Sequence, residues 1–156
     1  MALNAEISTG PGSAQDAWLQ SDLAATTQRC ILAYWHEPRF SSGYHGTSLT
    51  TGTQLWTDLL AAGADVILNG HDHDYERFAL QDGAGHATPS GIREFVVGTG
   101  GREFEPLNHL GQPNSEVVNG DSYGVLRLTL RDDGYDWRFV PVAGSSFTDS
   151  GSASCH

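Results

Sequence analysis

The chain has 156 residues, of which 38% are hydrophobic and 10% aromatic, and this composition fits one folded domain rather than a disordered segment. Its 8 basic residues are all arginine and stand against 19 acidic ones, for a formal charge of −11. Such a surface repels phosphate backbones and disfavours a nucleic-acid-binding module. No apolar run approaches the roughly 18 residues that a membrane span requires.

The first half of the sequence alternates between helical and strand patterns. Ser13 followed by Asp16 is a helix-capping pair, and the continuous apolar run Cys30–Trp35 suits a strand that is buried on both faces. The elements predicted here are a helix at 14–27, a strand at 30–35, a Ser/Gly-rich loop at 39–49, a helix around 55–60 ended by Gly63, and a strand at 64–69. Strand, helix and strand within about forty residues predict a βαβ unit with parallel strands.

The second half is rich in β patterns. The predicted elements are strands at 76–80 and 92–98 and a hairpin from Val125 to Val142 that turns at Asp133–Gly134. In this hairpin, three residues of one strand face three of the other, namely Leu126, Leu128 and Leu130 against Tyr135, Trp137 and Phe139. We expect an ordered core over residues 3–144 and a mobile polar tail over 145–156.

Histidines follow both strands of the predicted βαβ unit. His36 comes after the first strand, and His71 and His73 come after the second. Because the carboxyl ends of parallel strands meet at one edge of a sheet, we expect three imidazoles to converge there. Imidazole suits zinc, iron, manganese or nickel. Gly70 removes a side chain where the backbone must approach such a site.

Each of these residues also has a plainer interpretation. The acidic segment at 69–77 could be a solvated turn with incidental histidines, and His36 could be an ordinary strand-end residue. His45, on the intervening loop, could face a phosphate as a proton donor or be a simple loop histidine. The remaining histidines, His86, His109 and His156, fit a background role. Glu76–Arg77 is typical of a surface ion pair, and Val97–Gly101 fits either a close backbone approach or a tight turn.

Three segments together resemble the calcineurin-like metallophosphoesterases. They are Tyr-Trp-His-Glu-Pro-Arg-Phe-Ser-Ser-Gly at 34–43, Gly-His-Asp-His-Asp-Tyr-Glu-Arg at 70–77 and Val-Gly-Thr-Gly-Gly at 97–101. Within that superfamily the chain is most similar to secreted bacterial enzymes related to purple acid phosphatases. The resemblance implies an α/β (α+β sandwich) fold, the C-terminal half of a four-layer αββα domain with mixed sheets and flanking helices, over residues 1–156.

The resemblance also implies roles for individual residues. It makes His36 and His71 ligands of one metal and His73 a ligand of a second, and it places His45 near the phosphate and the leaving group as a catalytic residue. The metals would be two ions of iron, zinc or manganese. The family's earlier Asp, Gly-Asp and Gly-Asn-His blocks are not found upstream, so we expect a fragment that lacks those ligands. Gly120–Asp121 imitates the Gly-Asp block but comes in the wrong order.

The first functional hypothesis is a metal-dependent phosphoesterase that hydrolyses phosphomonoesters or phosphodiesters with metal-activated water at a dinuclear centre. The alternatives are a mononuclear metal-binding domain without efficient catalysis, and a packing fragment whose histidines hold no metal. The expected partner is a small phosphoester, with self-association through the exposed half-fold. The resemblance implies a secreted or extracellular protein, although this sequence shows no signal region. Export would fit oxidation of Cys30 and Cys155, whose pairing the sequence leaves open.

Overall fold

The computed structural model describes residues 1–48, 50 and 52–156, so Leu49 of the predicted loop lies outside the described residues. Its helices are α1 (Ala14–Ala25) and α2 (Thr53–Ala61). The hydroxyl of Ser13 accepts a hydrogen bond from the Asp16 backbone N–H at 3.1 Å, which is the predicted cap of α1. Among the described residues, no helix has the length and apolarity needed to cross a membrane.

The larger of two sheets carries the predicted βαβ unit. Its strands are β1 (Leu32–Tyr34), β2 (Val66–Asn69), β3 (Tyr75–Phe78), β4 (Arg93–Val97) and β5 (Ser115–Asn119). They lie in the order β1-β2-β4-β3-β5, with β1, β2 and β4 parallel and β3 antiparallel to both of its neighbours. The parallel pairing of β1 with β2 across α2 is confirmed, whereas β5 has no counterpart among the predicted elements.

The smaller sheet is antiparallel and contains β6 (Gly124–Leu130), β7 (Gly134–Pro141) and β8 (Ser150–Ser154). The predicted hairpin is confirmed, because Leu126 pairs with Phe139 and Leu128 with Trp137. The expectation of a mobile tail over 145–156 is wrong for its last part, since β8 pairs with β7 along its whole length. A Cβ atom on Gly151 would lie 2.3 Å from the Trp137 ring. Small residues therefore fit where this aromatic ring approaches the strand.

Two apolar cores stack the elements into layers. The first lies between the helices and the larger sheet, with Leu19 of α1 and Trp56 of α2 packed against Ile67 of β2. The second lies between the two sheets, where Phe95 of β4 packs with Phe139 of β7. The predicted α/β sandwich with flanking helices is confirmed, and of its two sheets the larger one is mixed while the smaller one is antiparallel.

A disulfide joins the two sheets at one corner. Cys30 precedes β1 and Cys155 follows β8, and the two cysteines are bonded across a sequence separation of 125 residues with Cα atoms 5.3 Å apart. Asp65 fixes the same corner, because its carboxylate accepts hydrogen bonds from the backbone N–H groups of Ile31 and His156 at 2.9 and 2.8 Å. The pairing that the sequence leaves open is therefore present, and it ends the chain in an ordered position.

Candidate metal centre

His36 and His71 lie side by side at the edge of the larger sheet. Nε2 of His36 is 3.2 Å from Nδ1 of His71, and the rings meet edge to face with centroids 5.0 Å apart. The backbone N–H of Gly70 donates to the His36 carbonyl at 2.9 Å and extends the pairing of β1 with β2 to the histidines. The convergence predicted for these two residues is thus present.

The backbone at His71 has a left-handed conformation, with φ of 67°. For a residue with a side chain this conformation costs about 1–2 kcal/mol. The Asp72 N–H donates to the Gly70 carbonyl at 2.8 Å and closes a tight turn around His71. Strain of this kind persists where the surrounding contacts impose it, and it is concentrated at functional sites.

His73 is oriented by the loop that follows β4. Its Nδ1 lies 2.7 Å from the Glu103 carbonyl and 3.4 Å from Oε2 of Glu105. A carbonyl can only accept, so this contact places the proton on Nδ1 and leaves the Nε2 lone pair available. Metal-binding histidines are commonly fixed in this way by an oxygen acceptor on the opposite nitrogen.

His45 is the fourth histidine of this group, and it lies on the loop between β1 and α2. Its ring centroid is 4.2 Å from that of His71, and its Nε2 is 3.9 Å from Oε2 of Glu105. The side chain is 43% exposed, so it can reach a molecule in the solvent. The four predicted site residues therefore lie around one opening of the protein.

That opening is a cleft of about 460 Å³. Four histidines, small residues and two charged side chains line it, namely His36, His45, Gly70, His71, His73, Val97, Gly98, Gly100, Gly101, Arg102 and Glu105. The glycines leave space at the carboxyl end of β4, and Arg102 supplies a positive charge at the rim. A groove of about 540 Å³ between α1 and α2 is larger but contains no histidine, so size alone does not identify the site.

The surroundings of His71 favour its neutral form. Burial lowers the pKa of His71, and the neighbouring His45 and His36 lower it further when they are protonated, against a smaller opposing influence of Asp72. Metal ligation needs a deprotonated imidazole nitrogen. The arrangement therefore holds His71 in the form that binds metal.

The pair His36–His71 fits a shared metal ion. Two nitrogens bound at about 2.0–2.1 Å to a tetrahedral ion are roughly 3.3 Å apart, close to the 3.2 Å found here. Within the described part of the chain, no three-residue group within 4.8 Å combines His73 with this pair. The three imidazoles line one cleft, and His73 is set apart from the His36–His71 pair because it faces the Glu103–Glu105 loop.

A group of three potential ligands that the sequence does not predict lies beside these histidines. Ligand atoms of His45, Asp72 and Glu105 lie within 4.8 Å of one another. The sequence does not predict Glu105 as a site residue, because it lies in an irregular loop far along the chain from the histidine segments. Glu105 could have been identified by the rule that site residues gather at the carboxyl ends of parallel strands. Its loop follows β4, and β4 is the parallel neighbour of β2.

Buried carboxylates hold the 39–45 loop against the sheet. Glu76 accepts hydrogen bonds from the backbone N–H and the hydroxyl of Ser42, both at 2.6 Å, and Glu94 accepts from the Arg39 N–H at 2.8 Å. Burial raises the pKa of Glu94 to about 8, against the effect of these backbone donors. The interpretation of Glu76–Arg77 as a surface ion pair is wrong, because Glu76 is fully buried and Arg77 binds Asp149 and Glu116.

The glycine turn after β4 makes a close backbone approach. A Cβ atom on Gly98 would lie 1.9 Å from the Asp72 carbonyl oxygen, whereas one on Gly100 would meet nothing within 4 Å. Of the two interpretations of Val97–Gly101, the structure therefore supports the close approach. Gly98 allows β4 to pack directly on the segment between His71 and His73.

The other candidate residues have local partners away from the cleft. Asp121 accepts a hydrogen bond from the Asn119 amide at 2.7 Å, which gives Gly120–Asp121 a local role. His86 pairs with Asp82 at 3.1 Å, and His156 pairs with Asp65 at 3.2 Å. The His109 backbone N–H donates to the Ser42 carbonyl at 3.1 Å.

The sequence is similar to several acid phosphatases, although no protein-family model matches it. It is 32% identical to purple acid phosphatase 15 of Arabidopsis thaliana over 117 residues, which are 71% of this chain and 22% of the relative. It is also 32% identical to tartrate-resistant acid phosphatase type 5 of Homo sapiens over 82 residues, 53% of this chain and 25% of the relative. The chain thus spans about a quarter of the length of these relatives.

The fold agrees with these similarities. The structure of purple acid phosphatase PPD1 from yellow lupin (Lupinus luteus) seeds matches with a TM-score of 0.87 and 18% identity, over 98% of this chain and 30% of that one. The chain belongs to the calcineurin-like metallophosphoesterases. It matches a C-terminal portion of the metallophosphoesterase domain, and the named relatives are hydrolases. Membership of this metallophosphoesterase family implies divalent or trivalent metal ions, and the imidazoles described above are suitable ligands for them.

Proposed function

We propose that the chain supplies the histidine side of a dinuclear metal centre that hydrolyses phosphomonoesters or phosphodiesters. The observation that carries this proposal is the 3.2 Å approach of His36 Nε2 to His71 Nδ1. His36 and His71 would hold one ion of iron, zinc or manganese. His73 would hold the second through Nε2, since its Nδ1 faces the Glu103 carbonyl.

Each residue of the cleft has a chemical task in this proposal. The ions that His36, His71 and His73 would hold would supply Lewis-acid polarisation of a phosphoryl oxygen and a water of lowered pKa. His45, half-exposed above His71, binds a phosphoryl oxygen or gives its proton to the departing alkoxide. Arg102 at the rim pairs with Glu103 at 3.1 Å and would exchange this exposed partner for the anionic substrate, and the glycines at 98, 100 and 101 leave room for the phosphate.

The centre needs carboxylates that this group of residues does not provide. Among the described residues, no carboxylate forms a three-ligand group with His36 and His71 within 4.8 Å. The family resemblance assigns the bridging carboxylate to sequence outside these 156 residues. We therefore propose that efficient turnover needs those ligands, and that the chain alone binds metal with little or no hydrolysis.

The alternative is a mononuclear metal-binding domain without efficient catalysis. Its basis is that three imidazoles can hold one zinc ion with an open position, and the 3.2 Å approach of His36 to His71 supports two of these ligands. The separate orientation of His73 by Glu103 favours two ions over one. A packing fragment without metal is the third possibility.

Metal content tests these possibilities. The purified chain is loaded with zinc or manganese, desalted and submitted to elemental analysis, with hydrolysis of p-nitrophenyl phosphate measured in parallel. We expect bound metal in the wild type, far less in a His71→Ala/His73→Ala variant, and no change in His86→Ala; a ratio near two ions per chain would support the dinuclear arrangement. One ion per chain would support the mononuclear alternative. Metal content that is equal in all three proteins would refute the site.

We also propose an extracellular or exported location, supported by the Cys30–Cys155 disulfide, since disulfides persist mainly in oxidising compartments. Self-association is proposed from exposed apolar side chains on the outer strands, including Val125 at 60% and Tyr34 at 50% exposure. Light scattering coupled to size exclusion tests the second proposal. A monomer across a tenfold concentration series would contradict it.

A further inference from the structure

In the sequence, Asp72 stands between two proposed metal ligands, His71 and His73. Unlike theirs, its side chain is enclosed by the protein. The residue is fully buried. Its Oδ1 accepts a hydrogen bond from the His45 backbone N–H at 2.8 Å, and its Oδ2 accepts one from the Ser41 hydroxyl. One carboxylate thus connects the metal-ligand segment to the loop that carries His45.

The approach of this loop to Asp72 is unusually close. A Cβ atom on Gly43 would lie 2.5 Å from Cγ of Asp72, so any other residue at position 43 would displace the carboxylate or the loop. The Gly43 N–H donates in turn to the Ser41 hydroxyl at 2.9 Å. Gly98 packs against the carbonyl of Asp72 from the other side. Asp72 is therefore fixed through both its side chain and its backbone.

Other buried acids hold the same loop but act farther from His45 along the chain. Glu94 accepts from the N–H groups of Arg39 and Phe40, and Glu76 from Ser42. Among the described residues, Asp72 is the carboxylate that accepts from the His45 backbone itself. Removal of Asp72 would leave the anchors at Arg39, Phe40 and Ser42 in place and release the backbone N–H of His45.

We propose that Asp72 is a positioning residue that holds the His45 ring over His71. Each oxygen of the Asp72 side chain accepts from a different donor of the loop, so one side chain fixes the loop at both Ser41 and His45. The ring separation of 4.2 Å between His45 and His71 is the geometry that this anchor maintains. The role of His45 in hydrolysis rests on the proposed function, whereas its position can be measured without turnover.

Three variants of the full chain test the assignment, with Asp121→Asn as a control in an exposed loop. Asp72→Leu removes both acceptors at similar volume. Asp72→Asn keeps one carbonyl oxygen that can accept from the His45 N–H and is the conservative rescue. Gly43→Ala leaves the carboxylate intact but obstructs its approach to the loop.

The readout is the nuclear Overhauser contact between the imidazole protons of His45 and His71, measured together with zinc content. We expect the contact to be lost in Asp72→Leu and Gly43→Ala, largely retained in Asp72→Asn, and unchanged in the control. Zinc bound by the histidines should fall less than twofold in Asp72→Asn.

A contact that persists in Gly43→Ala and in whichever Asp72 variants fold would overturn the assignment. If Asp72→Leu does not fold, the comparison of Asp72→Asn with Gly43→Ala decides the question. Absence of zinc binding in the wild type would refute the proposed function but not the positioning role, because the ring contact is measured independently of metal.

Discussion

Nε of Arg77 donates a hydrogen bond to Oδ2 of Asp149 at 2.7 Å, and this contact connects β3 of the larger sheet to the segment that leads into β8. The Tyr75 hydroxyl and Trp137 Nε1 donate to the same oxygen at 2.6 and 3.1 Å. Arg77 also lies over the Trp137 ring at 5.2 Å. A single buried carboxylate therefore joins polar groups from both sheets.

Asp149→Asn should reduce the free energy of unfolding by about 1–3 kcal/mol, because the Arg77 guanidinium loses one of its two acidic partners and keeps Glu116. Urea denaturation followed by tryptophan fluorescence measures the change. Asp136→Asn is the matched control, since its ion pair with Arg131 is exposed, and we expect a loss below about 1 kcal/mol. Equal losses in the two variants would contradict a special role for Asp149.

The same carboxylate should contribute to acid sensitivity. Burial alone would raise the pKa of Asp149, but hydrogen bonds from Arg77 and Tyr75 outweigh burial and lower it. Since the folded pKa lies below the unfolded value of about 3.9, this stabilisation is present above that pH and is lost as the pH falls through the folded pKa. Unfolding curves from pH 6 to pH 2 should therefore converge for wild type and Asp149→Asn.

Asp58 of α2 should have the opposite pH dependence. Burial and a hydrogen bond with Asp16 of α1 raise the pKa of Asp58 to about 6. The folded protein thus binds this proton more tightly than the unfolded chain, so the stabilisation present at low pH is lost as the pH rises through about 6. Asp58→Asn should increase stability at pH 8, by up to about 1 kcal/mol, and much less at pH 4.

Thermal denaturation at the two pH values measures this difference, with Asp22→Asn on the exposed face of α1 as the control. A gain from Asp58→Asn that is the same at pH 4 and pH 8 would show that charge is not its cause.

Gly98 and Gly100 in the turn after β4 differ in the space around them, so they form a matched pair of positions for substitution. Gly98→Ala should destabilise the chain by about 1–3 kcal/mol and reduce its zinc content, because the new Cβ would lie 1.9 Å from the Asp72 carbonyl oxygen. Gly100→Ala should change neither property, since its Cβ has no neighbour within 4 Å. Zinc titration and thermal denaturation of both variants check the prediction, and equal behaviour would count against it.

Glu105 should affect metal affinity although it is not a proposed ligand. Its carboxylate lies 3.4 Å from Nδ1 of His73, and loss of such outer contacts typically weakens metal binding by about 10–100-fold. Glu105→Gln should therefore weaken zinc binding at least roughly tenfold, as measured by competition with a chelator. Glu103→Gln is the control, because Glu103 contacts His73 through its backbone carbonyl. Equal affinities in the two variants would exclude this role.

Local sequence patterns account for the elements that were predicted correctly. Apolar runs and a capping pair define β1, β2 and α1, and alternation with an Asp-Gly turn defines the β6–β7 hairpin. The approach of His36 to His71 follows from parallel pairing alone. The periodicity of apolar residues and the rule that parallel strands end at one edge of a sheet are enough to predict these features.

The features that were missed depend on contacts between distant residues. The strand β8 consists of serine, glycine and alanine, which have low strand propensity, and it forms because β7 and the disulfide hold it in place. Glu105 reaches His73 from a loop without periodicity. Glu76 looks exposed beside Arg77 in the sequence, yet the side chains point to opposite faces of β3 and meet different partners.

The disulfide between Cys30 and Cys155 limits how far the two sheets can separate. It links the start of β1 to the end of β8, so the sheets stay tethered at that corner even when acid weakens the contacts of Asp149. The sheets belong to one chain in any case, and the disulfide adds closure of the 125-residue loop, which restricts the opened ensemble compared with the reduced chain. Loss of the packing between Tyr75 and Phe139 would therefore open the core between the sheets while the corner at Cys30 and Cys155 stays closed, and reduction of the disulfide would remove that constraint.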